Sequence, residues 1–238
     1  MRIPKRITPC PIIEAIVEIR FEPEMPADAV FGVLYNEFKS EYKKVEKLPI
    51  LQLPEFVRTQ DPDLKIQPYY KLLRDNFILQ IGPGVLSVVN VNQYIGWPVF
   101  STRILDTLWR VNKLELVAKV TRLGIRYINF FESNIYENIN LKFMLSDQPF
   151  IAEQITFRST LTAGKFMANL HILNNGNITT NDVSKSGSLI DVDAYIQDEK
   201  EIDFSNIESL LEEGHLEEKQ LFFRLLKEDF LQKFNPEY

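Results

Sequence analysis

The chain has 238 residues, of which 45% are hydrophobic and 25% are charged, which is an ordinary globular composition. Its formal net charge of −6 argues against a protein that binds nucleic acid without sequence preference, because such binding needs a surplus of Lys and Arg. A single cysteine, Cys10, excludes a disulfide framework and a cysteine-based metal cluster. Only two histidines occur, His171 and His215, and they are far apart, so a His-rich metal site or a His-based triad is not expected. No cofactor is predicted.

The cellular compartment is predicted from the N-terminal segment, the apolar runs and the single cysteine. Residues 1–7 are basic, but no apolar stretch follows them, so a secretory signal is not expected. No run of about 18 apolar residues occurs, so no membrane span is predicted. Together with the lone thiol, these features lead us to expect a cytoplasmic protein that does not engage a membrane.

The first half of the chain predicts a strand, a helix, several strands and a second helix. The predicted strands cover residues 12–21, 50–53, 66–73, 77–81 and 85–91, and helices start at Pro26 and near Pro98. In the opening strand, one face carries Ala15, Val17, Ile19 and Phe21, and the other carries Glu14, Ile16, Glu18 and Arg20. This alternation is typical of a strand that is buried on one side.

The second half predicts a similar order. The predicted elements are a strand over 120–130, a short helix over 135–145, strands over 151–162, 165–173 and 189–196, and a loop over 174–188. A capping box formed by Ser205 and Glu208 starts a C-terminal helical region that Gly214 is expected to kink or divide.

Two short matches favour an internal duplication. Residues 19–21 (IRF) match 125–127 (IRY), and residues 89–95 (VNVNQYI) match 190–196 (IDVDAYI). We therefore predict an α+β fold of two strand–helix–four-strand–helix repeats, 1–115 and 116–238, that share one extended antiparallel sheet with helices on one face. The element order resembles the topology of the TATA-binding protein fold, and that resemblance implies nothing about DNA binding.

The face without helices is the predicted site. We expect one set of apolar side chains to face the helices, namely Val17, Ile19, Val89, Val91, Ile125, Ile190 and Val192. The polar side chains of the same strands then lie on the other face, because successive side chains of a strand point to opposite sides. The candidate binding residues are Glu18, Arg20, Tyr94, Arg122, Arg126, Asp191, Asp193 and Tyr195, accompanied by Glu14, Asn90 and Asn92. One interpretation is a solvated face with cross-strand ion pairs. The other is a groove for a ligand or peptide, in which Arg122 and Arg126 hold an anion and Gly124 allows a close approach.

Three stretches resemble a known family. The opening segment 11–21 (PIIEAIVEIRF), residues 94–97 and residues 122–129 (RLGIRYIN) are similar to a sporadically distributed family of bacterial and archaeal proteins of about this length. The resemblance implies a cytoplasmic prokaryotic protein and no particular activity. The patchy distribution suggests an accessory gene, with a defence or toxin–antitoxin context as a hypothesis.

Two alternatives to protein binding stay open. A metal-dependent phosphohydrolase of the triphosphate-tunnel kind would use Glu14, Glu18, Asp191 and Asp193 for metal, but Ile16 interrupts the strict alternation such enzymes show. Further cations for phosphate would have to come from Arg58, Arg74, Arg158 and Lys165, which the sequence pattern does not place on that face. A nucleic-acid-binding saddle is disfavoured, because the acidic side chains on the same face repel phosphates.

The negative charge is local. Residues 1–115 carry a net charge of +1 and residues 116–238 carry −7, and only Lys200 opposes the 11 acidic residues from Asp191 to Glu218. This segment is interpreted as a solvated helix face or as a docking surface for a basic partner. We expect a non-catalytic accessory protein that binds a protein or peptide through the open sheet face or this acidic region, and a homo-oligomer is left open.

Overall fold

A computed structural model describes residues 2–149, 154–180, 183–197 and 202–238 of the chain. The strands are β1 (Ile12–Pro23), β2 (Lys44–Lys47), β3 (Tyr70–Arg74), β4 (Phe77–Gly82), β5 (Val85–Val91), β6 (Val117–Phe131), β7 (Met144–Leu145), β8 (Gln148–Pro149), β9 (Ile155–Ala163), β10 (Phe166–Thr180) and β11 (Val183–Ile196). The α-helices are α1 (Val30–Phe38), α2 (Glu55–Gln60), α3 (Pro62–Lys65), α4 (Trp97–Lys113), α5 (Ile207–Leu225) and α6 (Glu228–Leu231). Short 3-10 helices cover Pro49–Gln52, Tyr136–Asn138 and Gln232–Phe234.

The predicted α+β class is confirmed. Within the described ranges, nine strands form one open antiparallel sheet in the order β2-β3-β4-β5-β1-β6-β11-β10-β9, and β7 pairs separately with β8. The chain divides into two compact units. Unit 1 comprises Met1–Ile13, Arg126–Ala194 and Gly214–Tyr238, and unit 2 comprises Glu14–Ile125 and Tyr195–Glu213. Among the described helices, none is long and apolar enough to cross a membrane.

In unit 2, β1 has the predicted alternation. Its buried side carries Ala15, Val17, Ile19 and Phe21. Helices α1 and α4 cover this side, since Phe31 stacks on Tyr70 with 3.6 Å between ring centroids and Phe100 lies 6.4 Å from Phe77. Burial of large apolar side chains from both helices, among them Phe38, Phe100 and Ile104, makes this the core of the unit.

The register of β5 corrects the predicted faces. Val17 pairs with Val88, and Glu14 pairs with Val91, and paired residues of an antiparallel ladder point to the same side. Val89 and Val91 therefore lie on the side of the β1 carboxylates, and Asn90 lies on the helix side opposite Ala15, where it is buried. Every residue from Val85 to Asn90 is buried, so both faces of β5 are covered.

Unit 1 has its own apolar core on one side of β10 and β11. Leu170, Ile172, Ile190 and Val192 pack there with side chains of α5 and α6. The described core also includes Ile7, Phe131, Ile135, Ile139, Phe222, Phe223, Leu225, Leu226, Phe230 and Leu231. The side chains between these positions on the strands define the opposite face of the unit.

Several predicted elements are wrong. The strand predicted near 50–53 is a 3-10 helix over Pro49–Gln52, and the helix predicted over 135–145 is a 3-10 turn followed by the short strand β7. The predicted loop 174–188 is strand wherever it is described, because β10 continues to Thr180 and β11 starts at Val183. Helix α5 starts at Ile207 and runs unbroken through the buried Gly214. The start of the strand predicted at 151 lies outside the described residues.

Candidate functional site

The polar face of unit 2 is the side of β1 that α1 and α4 do not cover, and Glu18 is at its centre. The Glu18 carboxylate accepts a hydrogen bond from Arg20 Nε at 2.8 Å and from Arg122 Nη1 at 3.1 Å. Ser87 Oγ also donates to it at 3.4 Å. The structure therefore brings three predicted site residues together as one charge-paired group, in which the two arginines share one carboxylate.

Arg122 lies flat on this face. Its guanidinium is 4.6 Å from the ring centroid of Tyr195, and the residue is only 5% exposed. A Cβ placed at Gly124 would collide with that guanidinium. The predicted close approach at Gly124 is thus made by the side chain of Arg122, and the arginine is a structural part of the sheet.

The polar face of unit 1 is the side of β10 and β11 opposite the apolar core. On it, Arg126 makes a bidentate pair with Asp191, with 2.8 Å from Nε to Oδ1 and 2.7 Å from Nη2 to Oδ2. The Asp191 side chain is 10% exposed and that of Arg126 is 43% exposed. His171 Nδ1 lies 4.0 Å from Asp191 Oδ2. Burial and the nearby Arg158 charge lower the pKa of His171, although the Asp191 charge acts in the opposite direction. The lowered pKa favours the neutral ring.

A second polar row on the same face links β9, β10 and β11. Thr160 Oγ1 donates to Asn169 Oδ1 at 2.9 Å, and Asn169 Nδ2 donates to Asp193 Oδ2 at 3.3 Å. Farther along the face, a Cβ at Gly187 would lie 2.5 Å from Phe130 Cε2, so this glycine makes room for the aromatic ring. The polar face of unit 1 therefore carries hydrogen-bonded polar groups with apolar side chains among them.

Tyr94 is not on either polar face. It follows β5 in the connection to α4, where its ring makes an edge contact with Phe100 at 6.3 Å. In the same connection, Asn90 Oδ1 accepts from the Ile95 backbone N–H at 3.1 Å, and Asn90 Nδ2 donates to the Asn76 carbonyl. Tyr94 therefore belongs to the packing of the helix start, and the structure does not bring it together with the other predicted site residues.

The sequence interpretation missed His171 and Asn169 as members of the polar face, and it named Arg158 only as a cation of the phosphohydrolase alternative without placing it on that face. The pairing of β9 with β10 places Arg158 opposite His171 and Thr160 opposite Asn169. The alternation of β10, with buried Leu170 and Ile172 on either side of His171, was the signal available in the sequence.

Two acidic residues of the predicted acidic surface, Asp191 and Glu218, are buried and so do not contribute to an exposed patch. Asp191 is buried against Arg126, and Glu218 is buried in unit 1. In unit 2, Trp97 Nε1 donates to both carboxylate oxygens of Glu212 at 2.9 Å, and in the same helix Ser209 Oγ donates to Glu213. Residues 198–201, which hold three of the acidic side chains, lie outside the described residues.

The geometry gives a triphosphate-tunnel site no support. Across the described ranges, no group of three or more His, Cys, Asp or Glu side chains is placed to hold a metal ion. The sheet has β2 and β9 as separate edges, whereas a tunnel requires closure. Arg74 pairs with Glu41 in unit 2, together with Arg103 and Arg110, and does not serve the polar face.

The chain matches no protein-family model, and no curated protein matches it in sequence. The resemblance of the opening and central strands to the sporadic prokaryotic family stays a prediction.

Proposed function

We propose that the protein is a non-catalytic binding protein that holds a segment of a protein or peptide partner on the polar face of unit 1. The observation that supports this is the Arg126–Asp191 pair. The nearly buried carboxylate fixes the guanidinium through two charge-assisted hydrogen bonds, while 43% of the arginine side chain is exposed. An arginine held in one orientation loses little side-chain entropy when it binds, which favours a role as an anchor.

The surroundings of Arg126 support protein binding. Strands β9 and β10 contain Arg158, Met167 and His171 and no Lys or Glu, and Met167 is 39% exposed. The absence of Lys and Glu from these two strands, which carry Arg and Met, is in keeping with the composition of protein interfaces. The carboxylates of Asp191 and Asp193 on the same face disfavour a nucleic-acid backbone as the ligand.

A peptide display library tests the proposal. Selection against the full chain is expected to enrich peptides whose binding, measured by fluorescence anisotropy, weakens at least tenfold in Arg126→Gln. Arg224→Gln, which removes an exposed arginine on α5 in the same unit, is the matched control and is expected to change the Kd less than twofold. Failure to enrich any peptide, or equal binding by wild type and Arg126→Gln, would overturn the proposal.

We also infer that the two halves of the chain, 1–115 and 116–238, come from a duplicated unit. The support is the sheet order, in which β1 and β6 are neighbours and the last strand of each half pairs next to them. Ile19 and Ile125 are both buried, as the first sequence match requires. The second sequence match, which aligns Val91 with Val192, is not supported in this way. Val91 lies on the same side of the sheet as Glu14, whereas Val192 lies in the apolar core of unit 1. An experimental structure in which β1 and β6, with their neighbours, superpose would test this.

A further inference from the structure

The edge strand β9 differs from the edge strand β2. Strand β2 has four residues, of which Lys44, Glu46 and Lys47 are charged. A short, charged strand is the usual protection of a sheet edge against pairing with another chain. Strand β9 has nine residues and pairs with β10 in an uninterrupted register from Ala163 to Ile155.

Strand β9 has little of that protection. It contains no proline, its register with β10 shows no bulge, and Arg158 is its single charged residue. In the described part of the sheet, β10 is its one hydrogen-bonded neighbour. Alternate backbone N–H and C=O groups of an antiparallel edge strand point outward, so β9 offers a regular ladder to another strand. Its side chains at Thr156, Arg158, Thr160 and Thr162 are exposed, and Phe157 and Leu161 are only partly buried against the core.

We propose that β9 pairs with β9 of a second copy of this chain, antiparallel and about a two-fold axis at Ser159. The strand is complementary to itself in this register, because Phe157 lies opposite Leu161 of the other copy, and Leu161 lies opposite its Phe157. These two apolar cross-strand pairs add to the packing on the core side, where Phe157 already contacts Phe143 with 5.2 Å between ring centroids. On the polar side, Arg158 lies opposite Thr160, and Thr156 lies opposite Thr162.

Neighbouring registers are worse. Because both copies must keep their apolar side toward the same face, the register shifts only in steps that preserve the alternation. A two-fold at Arg158 places two arginines opposite each other, which is destabilising. A two-fold at Thr160 places Phe157 opposite Ala163 and Leu161 opposite Ser159, so both Phe–Leu pairs are lost. The second copy in the Ser159 register is therefore the occupant that this edge fits best.

Charge substitutions at Thr160 test the pairing by sedimentation velocity of the full chain over a concentration series. Thr160→Glu places a carboxylate opposite Arg158, twice per dimer, and we expect the dimer Kd to fall about 3- to 10-fold at low ionic strength. Thr160→Lys places an ammonium there, and we expect the Kd to rise by a similar factor. Hydrogen exchange is expected to show slower exchange of β9 amides as the protein concentration rises.

Thr102, exposed on α4, provides the control, because Thr102→Glu and Thr102→Lys are expected to leave the Kd unchanged. Thr162→Glu tests the register, since Thr162 faces Arg158 only when the two-fold lies at Thr160. A chain that stays monomeric up to about 1 mM, where even a dimer with a Kd of about 1 mM would be substantially populated, overturns the proposal. So does an equal Kd for Thr160→Glu and Thr160→Lys, or a larger effect of Thr162→Glu than of Thr160→Glu. Circular dichroism confirms that each variant is folded.

Discussion

The hydroxyl oxygen of Tyr127 lies 3.2 Å from Nδ1 of His215 in unit 1. Burial, with a smaller contribution from the Lys219 charge, lowers the pKa of His215 to about 3. The imidazole is therefore neutral in the folded protein at pH values where the unfolded chain would protonate it. Tyr127 and His215 form a neutral polar contact on the core side of β6.

The first prediction is a loss of stability in acid. The folded-state pKa of His215 is lower than its ordinary value of 6.5, so the unfolded state binds the extra proton as the pH falls from about 6.5 toward 3. Each pH unit in that window is worth at most about 1.4 kcal/mol. We expect the free energy of unfolding in urea to fall less between pH 7 and pH 4.5 in His215→Gln than in wild type.

His171→Gln is the control for the acid prediction. The pKa of His171 is also lowered, but this side chain is less buried, so its removal should reduce the pH dependence less. A larger effect from His171→Gln than from His215→Gln would contradict the assignment.

The second prediction concerns Glu218, whose pKa burial raises well above the ordinary value of 4.5. The residue is 4% exposed, and its Oε1 has no hydrogen-bond partner among the described residues. The folded state keeps a proton that the unfolded state releases, so stability falls as the pH rises above about 4.5. Glu218→Gln removes this titration. His215 titrates in both proteins and opposes this effect below about pH 6.5, so the comparison between the two proteins isolates Glu218. From pH 5 to pH 8 we expect the urea midpoint of wild type to fall relative to that of Glu218→Gln. Parallel profiles for the two proteins would contradict the prediction.

The third prediction is that Glu18→Gln destabilises the fold by about 1–3 kcal/mol, because it leaves a nearly buried donor without its charged acceptor. The change removes the countercharge of Arg122, which is nearly buried, as well as that of Arg20. Glu22→Gln, at an exposed position on the same side of β1, should stay within about 0.5 kcal/mol. Equal urea midpoints for the two variants at pH 7 would show that Glu18 is not needed to hold the arginines.

The fourth prediction ranks two glycine substitutions. In Gly187→Ala the new methyl group meets the ring of Phe130 and the backbone oxygen of Phe131, and we expect a loss of about 1–3 kcal/mol. In Gly124→Ala it meets the guanidinium of Arg122, which can move because it ends a flexible side chain. We therefore expect the smaller loss for Gly124→Ala in urea unfolding, and the reverse order would contradict this account.

The alternation of polar and apolar residues correctly predicted which side of β1 faces the helices, but it gave the wrong side for β5. Both outcomes have the same physical reason. Strand β1 is buried on one side and half-exposed on the other, so its sequence shows which residues face the core. Strand β5 is buried on both sides, and its polar Asn90 satisfies its amide by hydrogen bonds inside the fold. The sequence alternation there indicates a strand without indicating which side meets the helices.

Distant hydrogen bonds explain the other misses. Asn174 Oδ1 accepts from the backbone N–H of Ile135 at 2.8 Å and of Tyr136 at 3.1 Å, and Ser188 Oγ donates to the Ser133 carbonyl at 2.8 Å. The polar side chains that suggested a loop over 174–188 thus stabilise the turn after β6. Such contacts across the sequence are not visible in a local pattern.

The sequence predicted most of the side chains that make up the candidate site. It did not predict which of them form ion pairs with one another. The alternation correctly grouped Glu18, Arg20 and Arg122, but the register decides that Glu18 holds both arginines and that Arg126 pairs with Asp191. Long-range strand pairing sets those partners, and it depends on the whole sheet.

The unlike edges of the sheet limit how far copies of the chain can add to one another. A sheet with two long, unprotected edges would polymerise, because each added copy would present a fresh template. Here a pairing through β9 is symmetric and consumes that strand in both copies, and the short lysine-flanked β2 is a poor template for further growth. Assembly by strand addition would therefore stop at two copies and not extend into a filament.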